Sequence, residues 1–308
     1  MSPGRADQHN PRMDSWLTTV GLPVALGIVM LGLGLGLTTG DFRRVAAYPR
    51  LVLIALGCQV LLLPALCFGL VLLFGLRPEL AVGMMLLAAS PGGTTANLYS
   101  HLFGGHVAVN VTLTAVNSVL AVVTLPVVVN LSADHFLGDA APIGLQFDKV
   151  LQVFAIVLVP VAVGMALRSR FPGFADRLGR PVKILSVVVL VAVILGAVLK
   201  ERANLADYFL AVGAVVLAFN VISLLIGYGV PRLAGVGRRE SIAAGMEIGI
   251  HNSTLAITIA ISPALLDSTE IAIPAAVYGI VMFFTAAVFG YLVNRRRAPV
   301  EAGRGRTA

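Results

Sequence analysis

Long apolar runs, separated by short polar segments, follow one another along the whole chain. Nine of these runs are long enough, at roughly 20 residues, to cross the hydrocarbon core of a bilayer as helices. They cover residues 16–38, 46–75, 79–103, 106–130, 147–168, 183–199, 208–230, 240–265 and 269–294. No run alternates apolar and polar residues as the strands of a membrane barrel do, so we predict nine transmembrane helices.

Composition agrees with this pattern. Hydrophobic residues make up 58% of the 308 residues and charged residues only 12%, whereas a soluble domain carries about 25% charged residues. Most of the surface must therefore face the lipid bilayer. We predict an all-α polytopic membrane protein with a polar tail (residues 1–15), a transmembrane domain (16–294) and a basic tail (295–308).

The positions of the basic residues indicate topology. Most of the 22 lysines and arginines fall in alternate connections between runs and in the C-terminal tail, as do Arg43, Arg44, Arg50, Arg295, Arg296 and Arg297. Because positive charge concentrates on the cytoplasmic side, we expect a plasma-membrane protein with its N-terminus outside and its C-terminus in the cytoplasm. The basic clusters are short and lack interleaved aromatic residues, so nucleic acid is not expected as a partner.

One acidic residue, Glu247, lies several positions inside the eighth run. A carboxylate within a membrane costs at least about 2.5 kcal/mol, and such groups usually face an interior cavity on an ion or substrate path. The alternative is a protonated carboxyl bonded to a neighbouring helix. His251 follows four positions later on the same helix face.

Two runs contain clusters of glycine and polar residues that interrupt a helix. In the third run, Pro91 removes a backbone donor and Gly92-Gly93 tolerate almost any backbone dihedrals. In the eighth run a similar cluster surrounds Glu247 and comprises Gly245, Gly249, His251, Asn252, Ser253 and Thr254. The fourth run adds one polar face, made of Asn110, Thr114 and Asn117. We predict two broken helices that line a polar cavity.

The two interruptions occupy matching places in the two halves of the chain. Paired broken helices of this kind are typical of inverted-repeat transporters that bind their substrate at the membrane midplane. We predict one repeat over about 16–130 and a second over about 147–294, with the fifth run unpaired.

Two segments, Ala88–Leu98 and Glu247–Ser253, resemble the signature stretches of the bile acid:sodium symporter family, and Gly105–Thr114 fits the family as well. The spacing of Gln59 and Pro64 ahead of Pro91 also fits. The resemblance covers nearly the whole apolar chain and indicates a nine-helix member. It implies a panel domain and a core domain, with the two broken helices crossing in the core.

The resemblance also implies ligand positions. One family sodium site corresponds to Asn97, Asn110, Thr114 and Glu247, and a second to Gln59, Glu247, His251 and the backbone near Ile248 and Ile250. The substrate would lie near Thr94, Asn97, Asn252 and Ser253. Family substrates include bile acids, pyruvate, pantoate and other organic anions.

This chain departs from the family pattern at two positions. Ala96 stands where the family uses a serine, and His251 stands where it uses a glutamine. Sodium is a hard cation that prefers oxygen ligands, so an imidazole nitrogen is a poor substitute. An alternative hypothesis is that His251 carries a proton in place of the second sodium ion.

We therefore expect a sodium-coupled secondary active symporter for an organic anion, either bile-acid-like or a small carboxylate. The alternatives are a sodium-independent or proton-coupled carrier or uniporter, a channel, a non-transporting sensor of organic anions, and an efflux carrier. No catalytic constellation occurs within the runs, so an enzyme is not expected. The sequence leaves open which anion is carried, the direction of transport, the sodium stoichiometry and the oligomeric state.

Overall fold

The computed structural model describes residues 38–93, 95–138, 147–178, 205–262 and 265–295, with single positions between 27 and 36 and between 181 and 188. Every regular element in these ranges is helical. The elements are α1 (Thr39–Arg43), α2 (Pro49–Gly57), α3 (Leu63–Phe74), α4 (Pro78–Ala89), α5 (Thr95–Leu102), α6 (Val107–Leu137), α7 (Phe147–Arg170), α8 (Leu205–Leu233), α9 (Arg238–Gly249), α10 (Ser253–Ile261) and α11 (Thr269–Arg295). A 3₁₀ turn, Arg44–Ala47, follows α1, and a π-helical turn, Cys58–Leu62, joins α2 to α3.

Four helical segments of the described chain are long and apolar enough to cross a membrane. They are Pro49–Phe74, Val107–Leu137, Val212–Leu233 and Thr269–Asn294, and they match the second, fourth, seventh and ninth predicted runs. Their outward side chains are apolar, as a lipid-facing surface requires; Leu73 is 79% exposed and Phe284 70% exposed. The protein is thus an all-α polytopic membrane protein.

Two of the nine predicted helices lie mostly outside the described residues. These are the first run, 16–38, and the sixth, 183–199. The fifth run coincides with α7. The count of nine and the inverted repeat therefore stay predictions.

The third and eighth runs each form two short helices instead of one rod. The first break separates α4, which ends at Ala89, from α5, which begins at Thr95. The second separates α9, which ends at Gly249, from α10, which begins at Ser253. At the first break Ser90 is already extended, with ψ of 142°. The interruptions predicted from the glycine and polar clusters are present.

The two breaks cross and pair with each other. The amide of Gly93 donates to the carbonyl of Ile250 at 2.7 Å, and the amide of Asn252 donates to the carbonyl of Pro91 at 2.8 Å. Together they form a short antiparallel bridge centred on Gly92 and His251. A helix break inside a membrane leaves backbone groups that water cannot reach. Here each break supplies the partners that the other one lacks.

The broken helices form the centre of the helical bundle. Every residue from Leu80 to Ala89 is buried, as is every residue from Ser241 to Gly249. Helix α4 packs against α6 and α11, while α9 packs against α6 and α8. The long apolar helices thus shield the crossing from lipid.

Contacts at one end of the bundle bring several helix termini together. The hydroxyl of Tyr48, just before α2, lies 3.3 Å from Nε2 of His106, just before α6. The amide of His106 donates to the carbonyl of Arg239 at 2.9 Å, and the guanidinium of Arg238 donates to the carbonyl of Val293 at 2.5 Å. The basic residues near α1, α9 and α11, which we predicted to lie on one side of the membrane, are therefore found at the same end of the bundle. Which end faces the cytoplasm stays a prediction.

The described part of the first run lies against α7. A Cβ at Gly34 would collide with the backbone of Val161, and a Cβ at Gly164 would collide with the backbone near Leu31 and Leu35. The guanidinium of Arg168 also donates to the carbonyl of Leu35 at 3.1 Å. The small residues allow close packing of two membrane helices. Whether these helices form a separate panel domain stays a prediction.

Candidate ion and substrate site

The carboxylate of Glu247 is completely buried on α9, at 0% exposure. The hydroxyl of Thr114 donates to its Oε2 at 2.5 Å, and the amide of Asn117 donates to its Oε1 at 3.4 Å. The backbone of Gly92 also lies close to this group, because a Cβ at Gly92 would overlap the carboxylate. An ionised carboxylate accepts hydrogen bonds and cannot donate them, so neighbours that donate suit the charged form. Helix α6, α9 and the first break thus converge on one carboxylate.

Three polar residues of α6 lie on the face that meets α9, as their spacing predicts. Asn110 donates from Nδ2 to the carbonyl of Ala243 at 2.7 Å, one turn before Glu247. Thr114 also contacts the carbonyl of Asn110 at 3.1 Å. The predicted residues Asn110, Thr114 and Glu247 are therefore brought together. Asn97 lies on α5, which packs against both α6 and α9.

Several buried side-chain oxygens on α5 and α6, the helices that pack beside Glu247, lack hydrogen-bond partners among the described residues. They are the side-chain Oδ1 atoms of Asn97, Asn110 and Asn117. Buried polar atoms are almost always satisfied, so unpaired ones in a native fold require an explanation such as a bound ion or water. Amide oxygens beside a carboxylate are the ligands that hard cations prefer. The chemistry of this group fits a cation held between α5, α6 and α9.

Gln59 and His251, two of the residues predicted for the second sodium site, meet at a carbonyl of the first break. Nε2 of Gln59 donates to the carbonyl of Ser90 at 3.0 Å, and Nδ1 of His251 lies 3.1 Å from the same oxygen. A carbonyl only accepts, so this second contact is a hydrogen bond when Nδ1 carries the proton. Among the described contacts, neither side chain hydrogen-bonds to Glu247. The residue that joins them is Ser90, which the sequence did not single out.

The π-helical turn explains how Gln59 reaches the break. Pro64 has no N–H to bond the carbonyl of Val60, and its ring disturbs the preceding α-helical turn. The chain widens locally, so that Leu63 N bonds to the carbonyl of Cys58. Single π turns of this type occur often at functional sites. Gln59 is buried within this turn, at 4% exposure.

The imidazole of His251 is enclosed by two aromatic rings. It stacks on Phe219 with ring centroids 5.5 Å apart and meets Tyr278 edge-on at 5.4 Å. The ring is fully buried, and its Nε2 has no hydrogen-bond partner. His251 is thus held by two aromatic rings and at one ring nitrogen.

The second break has supports that sequence reasoning missed. Nδ2 of Asn220 and the hydroxyl of Tyr278 both donate to the carbonyl of Gly249, each at 2.8 Å. Thr285 in turn donates to Oδ1 of Asn220. The first break therefore has one carbonyl, that of Ser90, which faces two side-chain nitrogens. The second break has one carbonyl, that of Gly249, which faces a side-chain nitrogen and a hydroxyl. Asn220 is an amide within an apolar run and could have been noticed; Tyr278 carries no comparable signal.

The predicted substrate residues lie at the start of α5 and α10, except that Thr94 falls outside the described residues. The Oδ1 atom of Asn252 accepts a hydrogen bond from the amide of Leu255 at 3.0 Å and so caps α10. Ser253, the first residue of α10, has a buried hydroxyl without a partner. The first turns of α5 and α10 direct a partial positive charge toward the crossing.

A small cavity lies between the π turn, the first break and α6. Its lining includes Gln59, Pro91, Asn117 and Thr124. Through Asn117 the cavity borders the Glu247 group, which comprises Glu247, Asn97, Asn110, Thr114 and Asn117. Through Gln59 it borders the Ser90 group, which comprises the Ser90 carbonyl, Gln59 and His251.

A family model described as the Sodium Bile acid symporter family matches residues 23–208. This chain belongs to that family. The expected family membership is confirmed, and the protein is a transporter, not an enzyme.

Individual relatives have related descriptions. The chain is 30% identical, over 88% of its length and 81% of the relative, to the "Uncharacterized sodium-dependent transporter YocS" of Bacillus subtilis (strain 168). It is 28% identical, over 95% of its length and 68% of the relative, to the "Probable sodium/metabolite cotransporter BASS2, chloroplastic" of Oryza sativa subsp. japonica. It is 25% identical, over 89% of its length and 78% of the relative, to the "Ileal sodium/bile acid cotransporter" of Oryctolagus cuniculus.

Proposed function

We propose that this protein is a secondary active symporter that carries an organic anion across the plasma membrane together with sodium. The family and its relatives, which are described as sodium-dependent transporters and sodium cotransporters, support the coupling ion. The observation that supports the assignment to residues is the buried Glu247 carboxylate, which contacts Thr114 and Asn117 of α6.

The first step in this mechanism is cation binding at Glu247. A buried charge without a counter-charge is strongly unfavourable, and a sodium ion removes that cost. Its ligands are the carboxylate with Asn97, Asn110 and Thr114, which belong to three different helices. Sodium binding therefore draws α5, α6 and α9 together.

The anion binds next to this position, at the crossing. The first turns of α5 and α10 supply positive dipole ends for a carboxylate or sulfonate. The hydroxyl of Ser253, which has no hydrogen-bond partner among the described residues, and the side chains of Asn97 and Asn252 complete the substrate group.

Gly92 links the two binding events. Its backbone contacts the carboxylate of Glu247, and it pairs with His251 in the bridge that positions the start of α10. A cation that holds Glu247 thus also fixes the geometry of the anion site. Sodium binding raises the affinity for the anion, and by linkage the anion raises the affinity for sodium. Rotation of a core domain against a panel domain then exchanges access between the two sides.

Reconstituted transport tests this proposal. Purified protein in liposomes is given an inward sodium gradient or an equal potassium gradient, with labelled bile acid, pyruvate and pantoate as separate substrates. We expect sodium to drive accumulation of at least one anion, and Glu247→Gln to abolish it. Glu240→Gln, on the first turn of the same helix, serves as the matched control. Equal uptake in potassium would favour the sodium-independent carrier, and uptake driven by a proton gradient alone would favour the proton-coupled one.

A further inference from the structure

The two predicted ligand groups at the crossing differ in the atoms that they offer to a cation. The Glu247 group offers a carboxylate and the unpaired oxygens of Asn97 and Asn110. In the Ser90 group, the shared carbonyl already faces N–H donors from Gln59 and His251. Its remaining free atoms are one amide oxygen and the Nε2 atom of the imidazole. Sodium coordinates oxygen in preference to nitrogen, so this second group is a poor site.

The imidazole is also held in place and cannot easily turn away. It stacks on Phe219 and meets Tyr278 edge-to-face, and the hydroxyl of Tyr278 itself donates to the carbonyl of Gly249. Moving His251 would break its contact with Ser90 and leave that carbonyl with Gln59 alone. The ring therefore acts as a fixed part of the crossing.

We propose that this protein couples one sodium ion, and not two, to each anion, and that His251 sets this number by filling the second position with a nitrogen heterocycle. This inference rests on the proposed sodium symport and specifies its stoichiometry. Its consequence is that transport of a monovalent anion is electroneutral.

Direct sodium binding tests the stoichiometry without relying on transport. The full-length protein in detergent is titrated with ²²Na⁺ in a scintillation proximity assay. We expect one sodium ion per chain in the parent and none in Glu247→Gln. In His251→Gln an amide can donate from nitrogen to Ser90 and still offer its oxygen, so we expect two. Uptake by the parent should show a sodium Hill coefficient of about 1 and no response to a potential imposed with valinomycin.

The outcomes separate the two proposals. Two sodium ions in the parent, or potential-driven uptake of a monovalent anion, would overturn the stoichiometry while leaving sodium symport intact. No sodium binding and no sodium-stimulated uptake in the parent would instead overturn the symport itself. One sodium ion in a well-folded His251→Gln would show that the imidazole is not what removes the second ion. If His251→Gln is not monodisperse, the response of uptake by the parent protein to the imposed membrane potential decides the stoichiometry.

Discussion

The hydroxyl of Thr114 lies 2.5 Å from Oε2 of Glu247, although the two residues are separated by 133 positions in the chain. This contact joins α6 to the second broken helix at a carboxylate that neither water nor lipid reaches. The candidate cation site is organised around it.

Replacing Thr114 with valine should weaken sodium binding. Valine keeps the shape of threonine but removes the oxygen, and a hydrogen bond to a charged group contributes about 1.5–3 kcal/mol. We expect the sodium concentration for half-maximal uptake to rise by about tenfold or more. Thr112→Val is the matched control, because the buried Thr112 hydroxyl bonds only to Ala108 of its own helix, at 2.8 Å. An equal rise of this sodium concentration in both variants would show that the loss of affinity comes from a general disturbance of helix α6 and not from the missing contact with Glu247.

Gly92→Ala should abolish sodium-dependent transport without preventing membrane insertion. A Cβ at Gly92 would overlap the carboxylate of Glu247, so one of the two must move. Gly69→Ala on the outer face of α3 is the control, since a Cβ there meets nothing within 4 Å. Uptake assays and size-exclusion profiles of both variants provide the measurement. Normal uptake by Gly92→Ala would contradict the close approach of the break to Glu247.

Sodium should stabilise the folded protein in the absence of any substrate. A ligand at ten times its dissociation constant contributes about 1.4 kcal/mol to stability. We expect the melting temperature in detergent to rise with sodium but not with potassium at equal ionic strength. The rise should disappear in Glu247→Gln and persist in Glu240→Gln. An increase that is the same for both salts would indicate a general salt effect.

Tyr278→Phe should reduce stability with little change in sodium affinity. The substitution removes the hydroxyl that donates to the carbonyl of Gly249, and hydrogen bonds between membrane helices contribute about 0.6 kcal/mol on average. Combining it with Asn220→Ala removes both donors, so the double variant should lose more stability than either single one. Tyr228→Phe is the control, because the ring of Tyr228 contacts Phe289 and its hydroxyl has no hydrogen bond among the described contacts. Thermal denaturation in detergent measures each variant.

Local sequence was sufficient for the helices and for the two breaks. The apolar runs predicted the membrane spans because lipid requires helices of that length. Pro91 and the two glycines after it predicted the first break because backbone geometry is decided by neighbouring residues. Glu247 was conspicuous because charge within a membrane is costly. The spacing of Asn110, Thr114 and Asn117 likewise predicted the helix face that now meets Glu247.

Tertiary structure alone decided which residues share a partner. Gln59 and His251 were grouped with Glu247 by resemblance, whereas in the fold they meet at the carbonyl of Ser90. Asn220 and Tyr278 converge on Gly249 from two helices distant in sequence. Hydropathy and helical spacing act within one segment, while the partners of a freed carbonyl are set by how separate segments pack. The sequence by itself therefore determined the membrane helices, their interruptions and the buried charge, and the crossing of the two breaks determined how they assemble into a site.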